Sequence, residues 1–127
     1  MKKLQRNIRV LVVEPSKEPY EVTIKNTLSE KQKLVGGYIE YTYLEDNYDV
    51  ALICNEEGKL DGLPWNRYIG HDIIAGTFIV VGDDDSGEDR SLTDDQIERM
   101  KIRFDKESIK ETNNEIMKLM FKNNCEI

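Results

Sequence analysis

The chain lacks most of what a small enzyme or metalloprotein is built from. It has one histidine, His71, so a site made of several imidazoles is excluded. Its two cysteines, Cys54 and Cys125, stand far apart and follow no metal-ligand spacing. There is no GxxxxGK[ST] phosphate loop, no G-x-G-x-x-G turn and no G-x-S-x-G elbow. An EF-hand register also fails over the acidic run that starts at Asp83. Its fifth, sixth and twelfth positions would be Gly87, Glu88 and Asp94. A triad through His71 and Asp72 would need a Ser or Cys brought close in space, so His71 reads as a turn or surface residue. The expectation is a protein without catalytic residues, metal or cofactor.

Long apolar runs are missing too. None approaches the ~18 residues of a membrane span, and the opening MKKLQRNIRVLVV runs straight into Glu14-Pro15. That start reads as a first strand, not a secretory leader. No membrane contact is expected, and the cysteine usage points to a reduced, intracellular compartment. Cys54 ends an apolar run and reads as a small buried hydrophobe, while Cys125 sits in a polar tail.

Basic residues are in short supply. Lys and Arg total 18 against 25 Asp and Glu, for a net charge of −7. A protein that grips nucleic acid through phosphates needs a basic face, so direct nucleic-acid binding is not expected. An acidic protein can instead occupy a basic surface, including a groove that normally holds DNA or RNA. At 127 residues the chain reads as one domain, able to bury a core without a disulfide or metal.

What is present has a clear order. IRVLVV (Ile8–Val13) reads as a central strand, and YEVTIK (Tyr20–Lys25) alternates as its hairpin partner across a proline-rich turn. Asn26 or Thr27 caps a short helix to about Val35, with Thr27 and Glu30 in capping-box spacing and Leu28, Gln32 and Val35, with Leu34 nearby, as its stripe. Gly36 supplies a left-handed stop. Tyr38–Leu44 and Tyr48–Cys54 read as two strands of a meander. Ile73–Val81 follows, with Gly76 marking a bulge or close backbone approach, and Thr77–Val81 within it reads as a second central strand. Thr93 caps a helix with Gln96 at its third position, and Ile97, Met100 and Phe104 form its core face. Beyond Asp105 the periodicity weakens, then returns in EIMKLMFK, so the end is a continuation or a second helix. Ile109, Ile116, Leu119 and Met120 form a weak stripe that permits a homodimer.

Between two apolar walls lies Asn55–Arg67, NEEGKLDGLPWNR. Loops on a rigid scaffold carry function more often than core does, so this segment is the expected binding edge. Lys59 and Arg67 can hold an anion, Asn55 and Asn66 can read a base or ribose, and Glu57 belongs to the same set. Gly37 and Tyr38 complete the candidate pocket, with Tyr38 as a stacking face. The plainer alternative is that Gly58-Lys59 turns a hairpin and Arg67 pairs with Glu56 or Glu57. Trp65 is either a lid over the core or a stacking surface.

The order IRVLVVEPSKEPY, KLVGGYIE, ALICNEEGKLDGLPWNR, HDIIAGTFIVVGDD and SLTDDQIERM resembles a family of small proteins catalogued as a domain of unknown function. Its members occur on phages, plasmids and integrative elements of Gram-positive bacteria. The resemblance spans about Ile8 to Phe104, and NEEGKLDGLP-x-NR is its most specific part; Trp65 falls outside that pattern. It implies a mobile-element protein of the bacterial cytoplasm, of a kind that often counters host defence. It brings no catalytic residues.

The expected fold is therefore α+β: a mainly antiparallel sheet of about five strands, with one short helix and a C-terminal helix packed on it. Residues 1–104 form the domain and 105–127 a helical extension. The expected function is a non-enzymatic accessory protein that counters host defence by binding a small anionic, nucleotide-like ligand. The alternative is an acidic inhibitor that occupies a basic groove of a nuclease or other defence protein. Its acidic surface would be Asp83–Asp85, Glu88 and Asp89, with Glu45, Asp46 and Asp49.

Overall fold

The computed structural model describes residues 6–125, with side chains described through Lys122. The reading of Met1–Gln5 and of the Cys125 side chain falls outside the described residues. In chain order the elements are β1 (Asn7–Val13), β2 (Tyr20–Lys25), α1 (Leu28–Val35), β3 (Ile39–Leu44), β4 (Asn47–Asn55), β5 (Trp65–Tyr68), β6 (Ile73–Ala75), β7 (Phe78–Asp83), β8 (Asp89–Arg90), α2 (Asp94–Arg103) and α3 (Lys106–Cys125).

The apolar runs become the middle of one antiparallel sheet, ordered β2-β1-β7-β4-β3, with β8 added to the end of β7. β1, β4 and β7 are buried on both faces, which is why their sequences run almost without polar breaks. On one face Ile8, Val10, Val12, Ala51, Ile53, Ile79 and Val81 pack with Leu34 of α1. On the other, Leu11, Val13, Leu52 and Val80 meet Ile74 of β6 and Ile97, Met100 and Phe104 of α2 and its end. Phe78 and Phe104 close this side edge-to-face, centroids 5.2 Å apart.

The helix ends follow the residues that announce them. Thr27 Oγ1 accepts from Glu30 N, and Gly36 ends α1 at φ 81°. Thr93 and Gln96 form a full capping box at α2. α1 is nevertheless rotated from the expected stripe: Lys31 and Val35 are its buried residues, while Leu28 is 57% exposed. Lys31 goes inside because Asp89 waits there, ion-paired to Nζ and also accepting from Tyr41 Oη.

Two strand readings are corrected. The central strand read at Thr77–Val81 is there as β7, but what precedes it in Ile73–Val81 is a separate strand, and the expected bulge is a full break. Gly76, at φ 85°, makes that break, and its N–H donates to Pro64 O at 2.7 Å. The first half leaves the main sheet as β6 and pairs with β5. Most of β5, Trp65 to Arg67, lies inside the segment read as loop. The main sheet thus counts six strands with β8, and a two-stranded sheet sits apart from it.

α3 is a second helix, about 30 Å long by its residue count. Asp105 starts it by accepting from Glu107 N and Ser108 N. Ser108 and Thr112 face β5 and are buried. Ile109 and Ile116 are half-buried, and Met117, Leu119, Met120 and Phe121 lie exposed.

Candidate functional site

The Asn55–Arg67 segment divides into an inner and an outer part. Arg67 is fully buried, the largest side chain in the core. Its Nε donates to Ser108 Oγ at 2.9 Å. Nη1 donates to Asn66 Oδ1 at 2.9 Å, and Nη2 to Lys17 O at 2.6 Å and Phe104 O at 2.9 Å. A longer contact reaches Glu14 O. Burial pushes the guanidinium down to about 10, opposed by the charge of Asp105, so it stays charged at neutral pH. Among the described residues no carboxylate forms an ion pair with it; carbonyls and hydroxyls carry the charge. Asn66 is equally enclosed, its Nδ2 donating to Val13 O and Gly76 O, both at 2.8 Å.

The expectation that Arg67 holds phosphate and Asn66 reads a base is therefore corrected. Every donor of both side chains is committed to the protein. The plainer pairing of Arg67 with Glu56 or Glu57 does not occur either. Together these two residues tie β5 to the β1–β2 turn, to β6 and to the α2–α3 junction.

Asn55 is also a tie. Its Nδ2 donates to Val35 O at the end of α1, and its Oδ1 accepts from Glu57 N at 2.8 Å. Gly37 lies directly against it: a Cβ there would stand 2.9 Å from Asn55 Nδ2. So Gly37, Asn55 and the Glu57 backbone do come together, as a brace and not as an open pocket. Tyr38 is 69% exposed beside a shallow depression of about 500 Å³ with Gln32, Lys33 and Gly37. Trp65 is 44% exposed, beside Leu119 of α3. His71 lies on the β5–β6 turn, half-exposed, 3.8 Å from Glu45.

What remains open is Lys59, and the cavity it lines is reached by one other expected residue, Asn55, but not by Gly37, Tyr38, Asn66 or Arg67. A cleft of about 360 Å³ lies between β3, the loop after β4, and β6. Its floor is Cys54, Ile73, Ile74 and Ala75, and its rim is Glu40, Thr42, Glu56, Lys59 and Asp72. Lys59 Nζ lies 2.5 Å from Asp72 Oδ1, both side chains half-exposed. Three carboxylates thus face one ammonium. Burial pushes the Cys54 thiol up to about 11, so it is protonated at neutral pH and is no nucleophile there.

A second cleft, of about 260 Å³, lies on the opposite face of β3. Tyr41, Tyr43 and Ala51 form its floor, and Asp83, Glu88 and Asp89 its rim. Burial, then the hydrogen bond to Asp89, raises the Tyr41 phenol above its usual range. The alternation of β3 explains the pairing of clefts: Glu40 and Thr42 point one way, Tyr41 and Tyr43 the other. No sequence signal named Glu40, Thr42 or Tyr41 as site residues, although the strict alternation of IEYTYL was visible.

The acidic residues gather at the end of the sheet where the β3–β4 and β7–β8 turns meet, because Val50 pairs with Gly82 there. Some are neutralised: Asp49 by Arg99, Asp84 by Arg90, and Asp89 by Lys31. Burial opposes ionisation of Asp49, but hydrogen bonds from Gln96 and Arg99 win and lower its pKa. Among the described residues, Asp46, Asp83, Asp85 and Glu88 form no ion pair. Among the described residues no group of side chains could hold a metal ion, and no helix is long and apolar enough to cross a membrane.

No curated protein and no solved structure matches this chain. One family model does, over residues 8–105, from the second residue of β1 to the residue before α3. The chain belongs to the family described as a domain of unknown function (DUF3846).

Proposed function

We propose that this chain is a non-enzymatic accessory protein of a phage or mobile element that counters host defence by docking its acidic surface on a basic surface of a defence protein, such as a nuclease. The observation that supports this reading is the unpaired acid: Asp46, Asp83, Asp85 and Glu88 sit together at one end of a chain whose net charge is −7. Such a surface steers and orients a basic partner more than it sets the affinity. The inward commitment of Arg67 and Asn66 weakens the competing small-anion reading at the same time.

The test is a plaque count on a host that carries a nuclease-based defence, with and without this protein expressed. The wild-type chain restores plaques. The variant Asp83→Asn, Asp85→Asn, Glu88→Gln loses most of that effect while keeping its thermal midpoint. If the neutralised protein protects as well as wild type, the acidic-docking reading is wrong.

The small anionic ligand stands as a second reading, favoured by the cleft beside Lys59. It must accommodate Glu40, Glu56 and Asp72 around a single cation. Native mass spectrometry after incubation with a host nucleotide extract decides it: a retained mass of nucleotide size supports it, and an unchanged apo mass removes it.

A further inference from the structure

We infer that the free edge of β3 is a docking strand for an extended, basic segment of a partner protein, which adds to the sheet by backbone pairing. The inference deepens the proposed function and rests on its premise that the partner is basic.

The backbone comes first. β3 is the last strand of the sheet order, and among the described residues β4 is its only partner there. Glu56 N donates to Tyr38 O at 2.8 Å, so Tyr38 and the residues two and four beyond it turn their amides and carbonyls toward β4. Ile39 and Tyr41, opposite Asn55 and Ile53, turn theirs outward. Among the described residues nothing hydrogen-bonds to those outward groups. A row of unpaired N–H and C=O is a template for another strand.

The side chains then select the occupant. The two clefts lie on opposite faces of this same strand, one with Glu40, Glu56 and Asp72, the other with Asp83, Glu88 and Asp89. Six carboxylates face two lysines, Lys59 and Lys31, each already ion-paired. Consecutive residues of an added strand point to alternate faces. A segment with basic residues at consecutive positions therefore sends one into each cleft in turn. Tyr41 and Tyr43 add ring faces for a cation on the second side. A rigid basic groove covers one face of β3; a single extended strand reaches both. The regular ladder covers Ile39–Thr42, about 13 Å of strand, before the register shifts toward Leu44. It accepts about four residues of a partner.

The test uses the full chain and a fluorescein-labelled hexapeptide of alternating lysine and arginine. A second peptide carries the same side chains with every backbone amide N-methylated, which keeps the charge and removes the strand donors. Anisotropy at low salt measures binding, and amide hydrogen exchange by NMR measures protection at Ile39 and Tyr41. The expected result is binding of the first peptide, a loss of at least about tenfold with the second, and slower exchange of those two amides. Absence of binding overturns the inference. So does equal binding of both peptides, or binding that leaves Ile39 and Tyr41 exchanging as before. In those last two cases docking by charge survives, because its own failure is read in the plaque assay with the neutralised acids.

Discussion

The two ends of the Asn55–Arg67 segment carry similar residue types and meet opposite fates. At one end Glu56, Glu57 and Lys59 stay in solvent and line or border a cleft. At the other, Asn66 and Arg67 are sealed in the core, where they hold three other parts of the chain. The difference is not in the side chains but in what surrounds them. Lys59 has a carboxylate and water. Arg67 has four backbone carbonyls, two of them at the ends of turns that no strand or helix would otherwise satisfy. A planar fork with five donors can serve such a cage, and an ammonium cannot.

The comparison is broken most directly at Arg67. Arg67→Met keeps much of the volume and removes the charge and every donor. It leaves the carbonyls of Lys17 and Phe104, and the hydroxyl of Ser108, without that partner. The expected cost is ~3–5 kcal/mol, the range for breaking a buried charged network. A urea melt followed by far-ultraviolet circular dichroism checks it. A loss below about 1 kcal/mol would show that α3 and the β1–β2 turn are held by something else.

Gly58 tests whether the outer part is merely a solvated turn. It is buried, and a Cβ there would stand 2.6 Å from Ala75 O, a backbone atom that cannot swing aside. Gly58→Ala is expected to cost ~1–3 kcal/mol, by forcing the loop off β6. The same urea melt reads it. An unchanged midpoint would mean that the loop floats free of β6 and that the cleft has no fixed wall.

Much of the fold was legible because its signals are local. Thr27, Gly36, Thr93 and Gln96 mark helix ends through their own side chains or missing Cβ. The runs of β1, β4 and β7 announce burial on both faces. α3 was less legible for a physical reason. Its buried face is Ser108 and Thr112, which accept from Arg67 and Tyr68, so the apolar periodicity that marks a docked helix is absent there. β5 was hidden because Asn66 and Arg67 read as polar loop, and the carbonyls that bury them belong to every residue alike. Lys31 fell outside the stripe read for α1, because its partner Asp89 lies in a distant acidic run. The candidate site was legible only in part. Sequence reasoning found Lys59 and its loop. It could not find Glu40 and Asp72, which reach the same cleft only through strand register and the β5–β6 pairing.

The smallest effect is expected at Lys59, and it separates the two functional readings. Its pair with Asp72 is short, but both side chains are about half exposed. Water and salt screen such a pair, and holding two long side chains in place offsets much of the attraction. Lys59→Ala should shift stability by no more than about 0.5 kcal/mol in the urea melt. The substitution also removes the one cation on the rim of that cleft and frees Asp72. A small anion would lose its anchor there. A basic strand on β3 would keep its affinity or gain slightly, because the cleft becomes more negative. Anisotropy with the lysine–arginine hexapeptide measures which occurs. Retained affinity in a protein of unchanged stability places Lys59 as a counter-charge on the rim; weakened affinity means that the hexapeptide does not enter this cleft as a cation.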